Sequence, residues 1–218
     1  MIVDMDIACD ALVGLQRSAI VLKGLPKQIT LRDCTLVTVR PMVREDKEEL
    51  LAFFRRLPAE DRQFLKHDVT QAEIVEAWTR GLDYDRVLPI LAEFEGRIVG
   101  NATLHRQAYG WMRHVGEIRV VTDAYFRRRG LASAMAREIF YLALQFGLDK
   151  MVAEMAADQI AAIKVFEKLG FQQEACLANH VVDLQGRKRD LVVMTTDIPA
   201  LMQKMQESFF RAAGSVDG

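Results

Sequence analysis

Apolar positions along the 218-residue chain recur with two periods, one of about 3.6 residues and one of about 2. Leu50, Leu51, Phe53, Phe54 and Leu57 share one face at helical spacing, which predicts a helix. A second helix is expected behind Thr70, where Thr70 and Glu73 stand as a capping box ahead of Ile74, Val75 and Trp78. Upstream, Ala11 to Leu22 reads as a short amphipathic helix, and the alternation from Gln28 to Arg40 reads as a hairpin ended by Pro41. Downstream, Leu88 to Phe94 and Arg97 to Leu104 are strand-like runs parted by Glu95-Gly96, and Val115 to Thr122 is a third strand. Leu131, Met135, Ile139, Leu142 and Phe146 then predict a long helix that ends at Gly147. Met151 to Met155 reads as a buried strand, Ile160 to Leu169 as a helix stopped by Gly170, and Phe171 to Leu177 as a strand. A closing hairpin joins His180–Leu184 to Leu191–Thr195 across Gln185-Gly186. The tail from Ile198 to Phe210 is expected to be helical and docked, because Leu201, Met202, Met205, Phe209 and Phe210 need burial. With two helices ahead of the sheet, this order predicts a mixed α/β sheet around a β-α-β-α-β core.

Charge narrows what such a sheet can bind. Twenty-nine Lys and Arg oppose thirty Asp and Glu, a net charge of −1, so no overall basic field exists to hold nucleic acid or an anionic membrane. Any anion has to be held locally. Half of the residues are hydrophobic and 27% are charged, the balance of a globular chain with a sizeable core. No apolar stretch approaches the ~18 residues of a membrane span, and the start MIVDMDIACD carries acids where a secretory signal carries bases, so a cytoplasmic location is expected. Cys9, Cys34 and Cys176 are widely spaced, without a C-x-x-C or a neighbouring histidine pair; they predict reduced structural thiols, and no metal site is expected.

The local anion site has an address. From Val120 to Ser133 a strand (Val120, Val121, Thr122) passes through a loop (Arg127, Arg128, Arg129) and Gly130 into a helix start (Leu131, Ala132, Ser133). The first turn of a helix leaves backbone N–H groups unpaired and carries about half a positive charge, so it accepts a phosphate by main-chain donation. Gly130 and Ala132 keep side chains clear, and arginines add charge-assisted contacts. Three adjacent arginines alone would read as a solvated loop; the strand before them and the helix after them turn the reading toward a phosphate-bearing ligand. A dinucleotide fingerprint fails for want of two glycines, and a Walker A loop for want of G-K-[ST].

Arg127-x-x-Gly130-x-Ala132 resembles the [QR]-x-x-G-x-[GA] signature of the GNAT superfamily of acyl-CoA-dependent N-acetyltransferases. Gln159-Ile160-Ala161-Ala162-Ile163-Lys164-Val165-Phe166-Glu167-Lys168-Leu169-Gly170-Phe171 is similar to the family's second motif, N-x-x-A-I-x-x-Y-x-K-x-G-F, and Asp183–Gly186 with Asp190–Met194 resembles the terminal hairpin of bacterial protein-lysine acetyltransferases. The resemblance implies a GNAT fold, a mixed central β-sheet flanked by helices, over residues 36–197, with an N-terminal extension over 1–35 and a C-terminal helical tail over 198–218. It implies acetyl-CoA as the acyl donor and a primary amine, protein lysine or small molecule, as acceptor, with no nucleic acid or membrane partner; a homodimer is left open. It implies that Val120, Val121 and Thr122 bond the pantetheine arm, that Arg127 to Ser133 grip the pyrophosphate, and that Gln159, Phe166 and Lys168 flank the cofactor. Two positions depart from the pattern: Gln159 replaces asparagine, and Phe166 replaces a tyrosine that protonates the departing thiolate, so a non-catalytic acyl-CoA-binding module is the rival reading. Phe166 also reads as a core residue.

Acyl transfer needs a neutral amine, and an alkylammonium of pKa ~10.4 is protonated at neutral pH. Glu117, ten residues before Arg127, stands where similar bacterial enzymes carry their general base. Alternation puts it on one strand face with Arg119 and Val121, so an ordinary ion pair with Arg119 is the competing reading. His114 and His180 are secondary candidates for proton relay and cleft lining, with His67 and His105 behind them. Glu154 lies on the strand expected to flank the acyl site or bonds a loop N–H, Trp78 and Trp111 read as packing or cleft-wall residues, and the resemblance implies that Leu57–Asp68 shapes the acceptor side of the cleft.

Overall fold

The alternating runs between Val87 and Thr122 become three consecutive antiparallel strands, and the rest of the chain is laid on and beside them. The computed structural model describes residues 24–203. In chain order these form β1 (Lys27–Thr30), β2 (Leu36–Pro41), a 3-10 turn (Arg44–Asp46), α1 (Lys47–Arg56), α2 (Ala59–Arg62), α3 (Ala72–Arg80), β3 (Val87–Phe94), β4 (Arg97–Arg106) and β5 (Val115–Thr122). A second 3-10 turn (Ala124–Phe126), α4 (Leu131–Gln145), β6 (Lys150–Ala156), α5 (Ile160–Lys168), β7 (Gln172–Val182) and β8 (Lys188–Asp197) follow, and residues 198–203 are helical. The amphipathic pattern at Ala11–Leu22, Cys9, and the tail positions Met205, Phe209 and Phe210 lie outside the described residues.

All eight strands share one sheet in the order β1-β2-β3-β4-β5-β6-β8-β7, antiparallel except for β5 beside β6. That parallel pair needs a crossover, and α4 supplies it. Two cores lie on the two faces. One packs Leu131, Met135 and Ile139 of α4 and Phe166 of α5 against Ile118 of β5. The other packs Leu50, Phe53 and Phe54 of α1 and Val75 of α3 against Leu91 and Ile98. Even-numbered residues of β5 therefore turn to the first core, and Glu117, Arg119 and Val121 face the α1 and α3 side.

Three expectations are corrected. Two strands precede the helices: β1 and β2 form the anticipated hairpin, and β2 then pairs with β3 across the intervening helices, a contact no local pattern encodes. The capping box at Thr70 does not form; α3 begins after Gln71, and Thr70 donates through its N–H and Oγ1 to Asp68, at 3.1 and 2.6 Å. The runs at Phe171–Leu177 and His180–Leu184 are one long strand, β7, carried past Asn179 at φ 52° by a register shift and a bond from Asn179 N–H to Asp190. Between β3 and β4, Glu95 and Gly96 both take positive φ, 50° and 73°, as a two-residue hairpin turn requires.

Candidate active site

The loop after β5 is held from below. Asp123 accepts from Tyr125 N–H at 2.9 Å, and Phe126, buried, meets Phe94 edge-on at 5.5 Å, so the chain reaches Arg127 from a pinned turn. Gly130 is the N-cap of α4 at φ 91°, and the first helical bond runs from Ala134 N–H to Gly130 O. The N–H groups of Leu131, Ala132 and Ser133 precede that bond, so they are the unpaired donors of the first turn. A side chain at position 130 would be strained and would meet Arg32 Cγ at 3.3 Å. These features fit an anion laid against backbone, as the diphosphate of a coenzyme would be.

The arginines are less available than their spacing suggests. Arg127 pairs with Asp61, and Arg129 pairs with Asp33 at 3.1 Å while stacking on Tyr125 at 4.1 Å. Arg128, at φ 61° and exposed, forms no ion pair among the described residues. Leu131 lends only its backbone, because its side chain is core.

Beside this cradle the sheet opens. β6 is paired with β5 at only three positions, Val115, Gly116 and Glu117, and the two strands part beyond them. Asp123 N–H bonds Val99 O, and in the β4–β5 register the bonded pairs alternate from there; so residues 121, 119 and 117 direct their backbone toward β4. Ile118, Val120 and Thr122 direct theirs toward the gap. A pantetheine-like arm, with its amides, can complete that edge as an added strand.

On the side-chain face, four ionic groups meet at the point of divergence. Glu117 receives Lys66 Nζ at 2.8 Å and Arg119 Nε at 2.8 Å, and Lys66 also reaches Glu154 of β6 at 2.9 Å. Burial alone would raise the Glu117 carboxyl, but the hydrogen bonds and charges of Arg119 and Lys66 outweigh it and hold it at about 2. His105 lies directly across from Glu117 in the register, with Nε2 3.0 Å from Thr103 Oγ1. Burial, with the nearby Arg119 charge, pushes its imidazole down to about 4, so it is neutral at pH 7.

From this cluster a cavity of about 340 Å³ runs between the sheet and α1 and α3. Phe54, Leu65, Trp78 and Pro89 supply its apolar wall, and Lys66, His105 and Arg119 its charged and polar end, next to Val120 and Val121. Trp78 is held by Phe54 and His67, edge-on at 5.9 and 5.7 Å.

The sequence candidates separate under this geometry. Glu117, Arg119, Val120, Val121 and the Leu65–His67 part of the acceptor segment converge on the cavity end. Gln159 accepts from Ala156 N–H at 3.0 Å, so its amide closes the end of β6. Phe166 is buried edge-on against Phe171 at 5.0 Å, and Lys168 is exposed on the last turn of α5. His114 and His180 are exposed, and the histidine facing Glu117 is His105, which only the strand register reveals. Lys66 likewise comes from a turn fifty-one residues before Glu117 in the chain. Among the described residues no group of His, Cys, Asp and Glu is disposed to hold a metal ion, and no helix is long and apolar enough to cross a membrane.

Known proteins share this fold. The chain is 29% identical over 93 residues to the L-amino acid N-acetyltransferase AaaT of Escherichia coli (strain K12); the match covers 42% of this chain and 57% of that protein, so this chain spans little more than half of that relative's length. The GNAT domain of S. lividans PAT superposes with a TM-score of 0.67 at 22% identity, over 78% of this chain and 96% of that one. A putative acetyltransferase of Salmonella typhimurium, yncA, solved with acetyl-CoA, superposes with a TM-score of 0.65 at 20% identity, over 74% of this chain and 94% of that one. At such identities these structures share the fold. The sequence profile of the acetyltransferase (GNAT) family matches residues 48–171, from α1 to the residue just before β7 and more than half of the chain, and the chain therefore belongs to the acetyltransferase (GNAT) family.

Proposed function

We propose that the chain is an acetyl-CoA-dependent N-acetyltransferase that acetylates a primary amine entering through the cavity between the sheet and α1 and α3. The observation that carries this reading is the divergence of β5 from β6, with the backbone of Val120 and Thr122 facing the gap, the α4 cradle at one end and the cavity at the other. In this reading the N–H groups of Leu131, Ala132 and Ser133 hold the diphosphate, Val120 N–H polarises the thioester carbonyl, and transfer is direct in a ternary complex. The volume of the cavity, about 340 Å³, suits a small amine or a single extended side chain.

Glu117 as base has to overcome its own surroundings. With a carboxyl at about 2, taking a proton from an ammonium of pKa ~10.4 is uphill by ~11 kcal/mol, whereas release to water at pH 7 costs only ~5 kcal/mol. Glu117 becomes useful when the acceptor ammonium takes the place of Lys66: once that ammonium has given up its proton, Arg119 is the one cation left on the carboxylate. An acyl-CoA-binding module without turnover is the second reading, favoured by Phe166, which has no hydroxyl, and by the doubly paired Glu117.

Release of free thiol from acetyl-CoA, followed over a panel of small amines and lysine peptides, tests the function. Turnover with at least one amine, reduced by about a hundredfold in Glu117→Gln, is expected. Calorimetric binding of acetyl-CoA without turnover on any acceptor would favour the binding module, and no binding at high micromolar concentration would remove both readings.

A further inference from the structure

The end of the cavity beside the strand divergence already contains an alkylammonium. Lys66 Nζ sits 2.8 Å from Glu117 Oε1 and 2.9 Å from Glu154 Oε2, bridging the two strands where they part. It is delivered by the turn between α2 and α3, and it lines the same end of the cavity as Arg119, Val120 and Val121. Its side chain is 46% exposed, so neither pairing is locked by burial, and a long, four-carbon stem lets the nitrogen move from one carboxylate into the gap. The strand backbone facing that gap belongs to Ile118, Val120 and Thr122, the same edge proposed above for the acyl arm.

We propose that Lys66 is an internal acceptor: with acetyl-CoA on the β5 edge, the chain acetylates its own Lys66 Nζ. The inference rests on the acetyl-donor reading above. The ammonium passes one proton to the Glu117 carboxylate that already accepts its hydrogen bond. The freed lone pair attacks the thioester carbonyl carbon, a C–N bond forms, and the C–S bond breaks. The departing sulfur takes a proton as free thiol, and the second nitrogen proton leaves to solvent, so the products are an Nε-acetyl-lysine, CoA thiol and one net proton. As for an acceptor ammonium seated there, one cation that weakens Glu117 as a base is the group that surrenders the proton, so the carboxylate gains basicity as transfer proceeds. Once acetylated, Lys66 bridges Glu117 and Glu154 no longer, and Arg119 alone remains on Glu117. Self-modification would then leave a site with a more basic glutamate.

The test incubates the full chain with acetyl-CoA at pH 8 and follows acetylation by intact mass and peptide mapping, with calorimetric binding of acetyl-CoA measured in parallel. Lys66 should be the first lysine modified, to one acetyl per chain, at a rate that saturates with acetyl-CoA, is independent of protein concentration, and is suppressed by excess CoA. Glu117→Gln should slow it at least about tenfold, with circular dichroism confirming its fold, and Lys66→Arg should remove the single early acetyl group. Acetyl-CoA binding with Lys66 left unmodified would overturn the inference while leaving the donor reading standing. Acetylation of Lys66 no faster than that of the exposed Lys164 and Lys188, or unaffected by CoA, would mark ordinary chemical acylation and overturn it as well. Absence of acetyl-CoA binding would remove the donor reading and this inference together.

Discussion

Replacing Glu117 by glutamine probes the ionic cluster at the strand divergence, and its effect should depend on pH. The carboxyl is held at about 2 rather than 4.5, because Arg119 and Lys66 outweigh the opposing effect of burial. A separation of about 2.5 pKa steps corresponds to about 3 kcal/mol favouring the charged, folded form. Glu117's side chain is 26% exposed and Lys66's 46%, so solvent screening reduces this to about 1–2 kcal/mol. The group is depressed on folding, so its contribution is complete above pH 4.5 and is lost as the pH falls toward 2. Urea unfolding of the wild-type chain and Glu117→Gln at pH 7, 5 and 3, followed by circular dichroism, should therefore show the variant less stable by about 1–2 kcal/mol at pH 7 and pH 5, and by about half as much at pH 3. A difference that stays constant over this range would refute the reasoning, because an uncharged loss of packing does not titrate. Equal stability at pH 7 would also refute it, by showing that the two cations merely repay the burial of the carboxylate.

Three further outcomes follow from the same geometry. The His105 imidazole should titrate with a midpoint near 4 in proton NMR, identified by its disappearance in His105→Gln; since the fold favours the neutral ring, its contribution to stability is full above pH 6.5 and fades as the pH drops to 4. Gly130→Ala forces alanine to φ 91° and should cost about 1–2 kcal/mol in chemical denaturation while weakening calorimetric CoA binding; Gly147→Ala, at φ 69° at the opposite end of α4, should cost a similar amount and leave CoA binding intact. Phe166→Ala opens a cavity beside Phe171 and should destabilise the chain by about 3–5 kcal/mol in the same assay, whereas a residue that merely flanked a coenzyme would cost far less.

Much of this was legible in the residue order. Leu131, Met135, Ile139 and Leu142 announced α4, and all four are buried as their spacing requires. Val115–Thr122 appeared as a strand with the observed bounds, and the helix start behind Gly130 was recognisable because the glycine and small residues are contiguous in the chain. Local reading failed where a competing partner was distant or ambiguous. Thr70 had the residue types of a capping box, but Asp68, two positions away, took its donors. β7 looked like two strands because the polar Asn179 interrupts its pattern, and Asp190 on the neighbouring strand satisfies that interruption.

The ionic cluster at the strand divergence shows the division most clearly. The amino-acid order by itself indicated most of the elements, the helix start behind Gly130, and the face of β5 on which Glu117 and Arg119 lie, because each follows from periodicity or from neighbours a few residues apart. Only the tertiary structure decided that β5 and β6 separate after Glu117, that Lys66 and Glu154 meet there, and that His105 stands opposite. Those contacts join residues far apart in the chain, and their energies depend on burial and on charge at distances near 3 Å, quantities that exist only after the chain has folded.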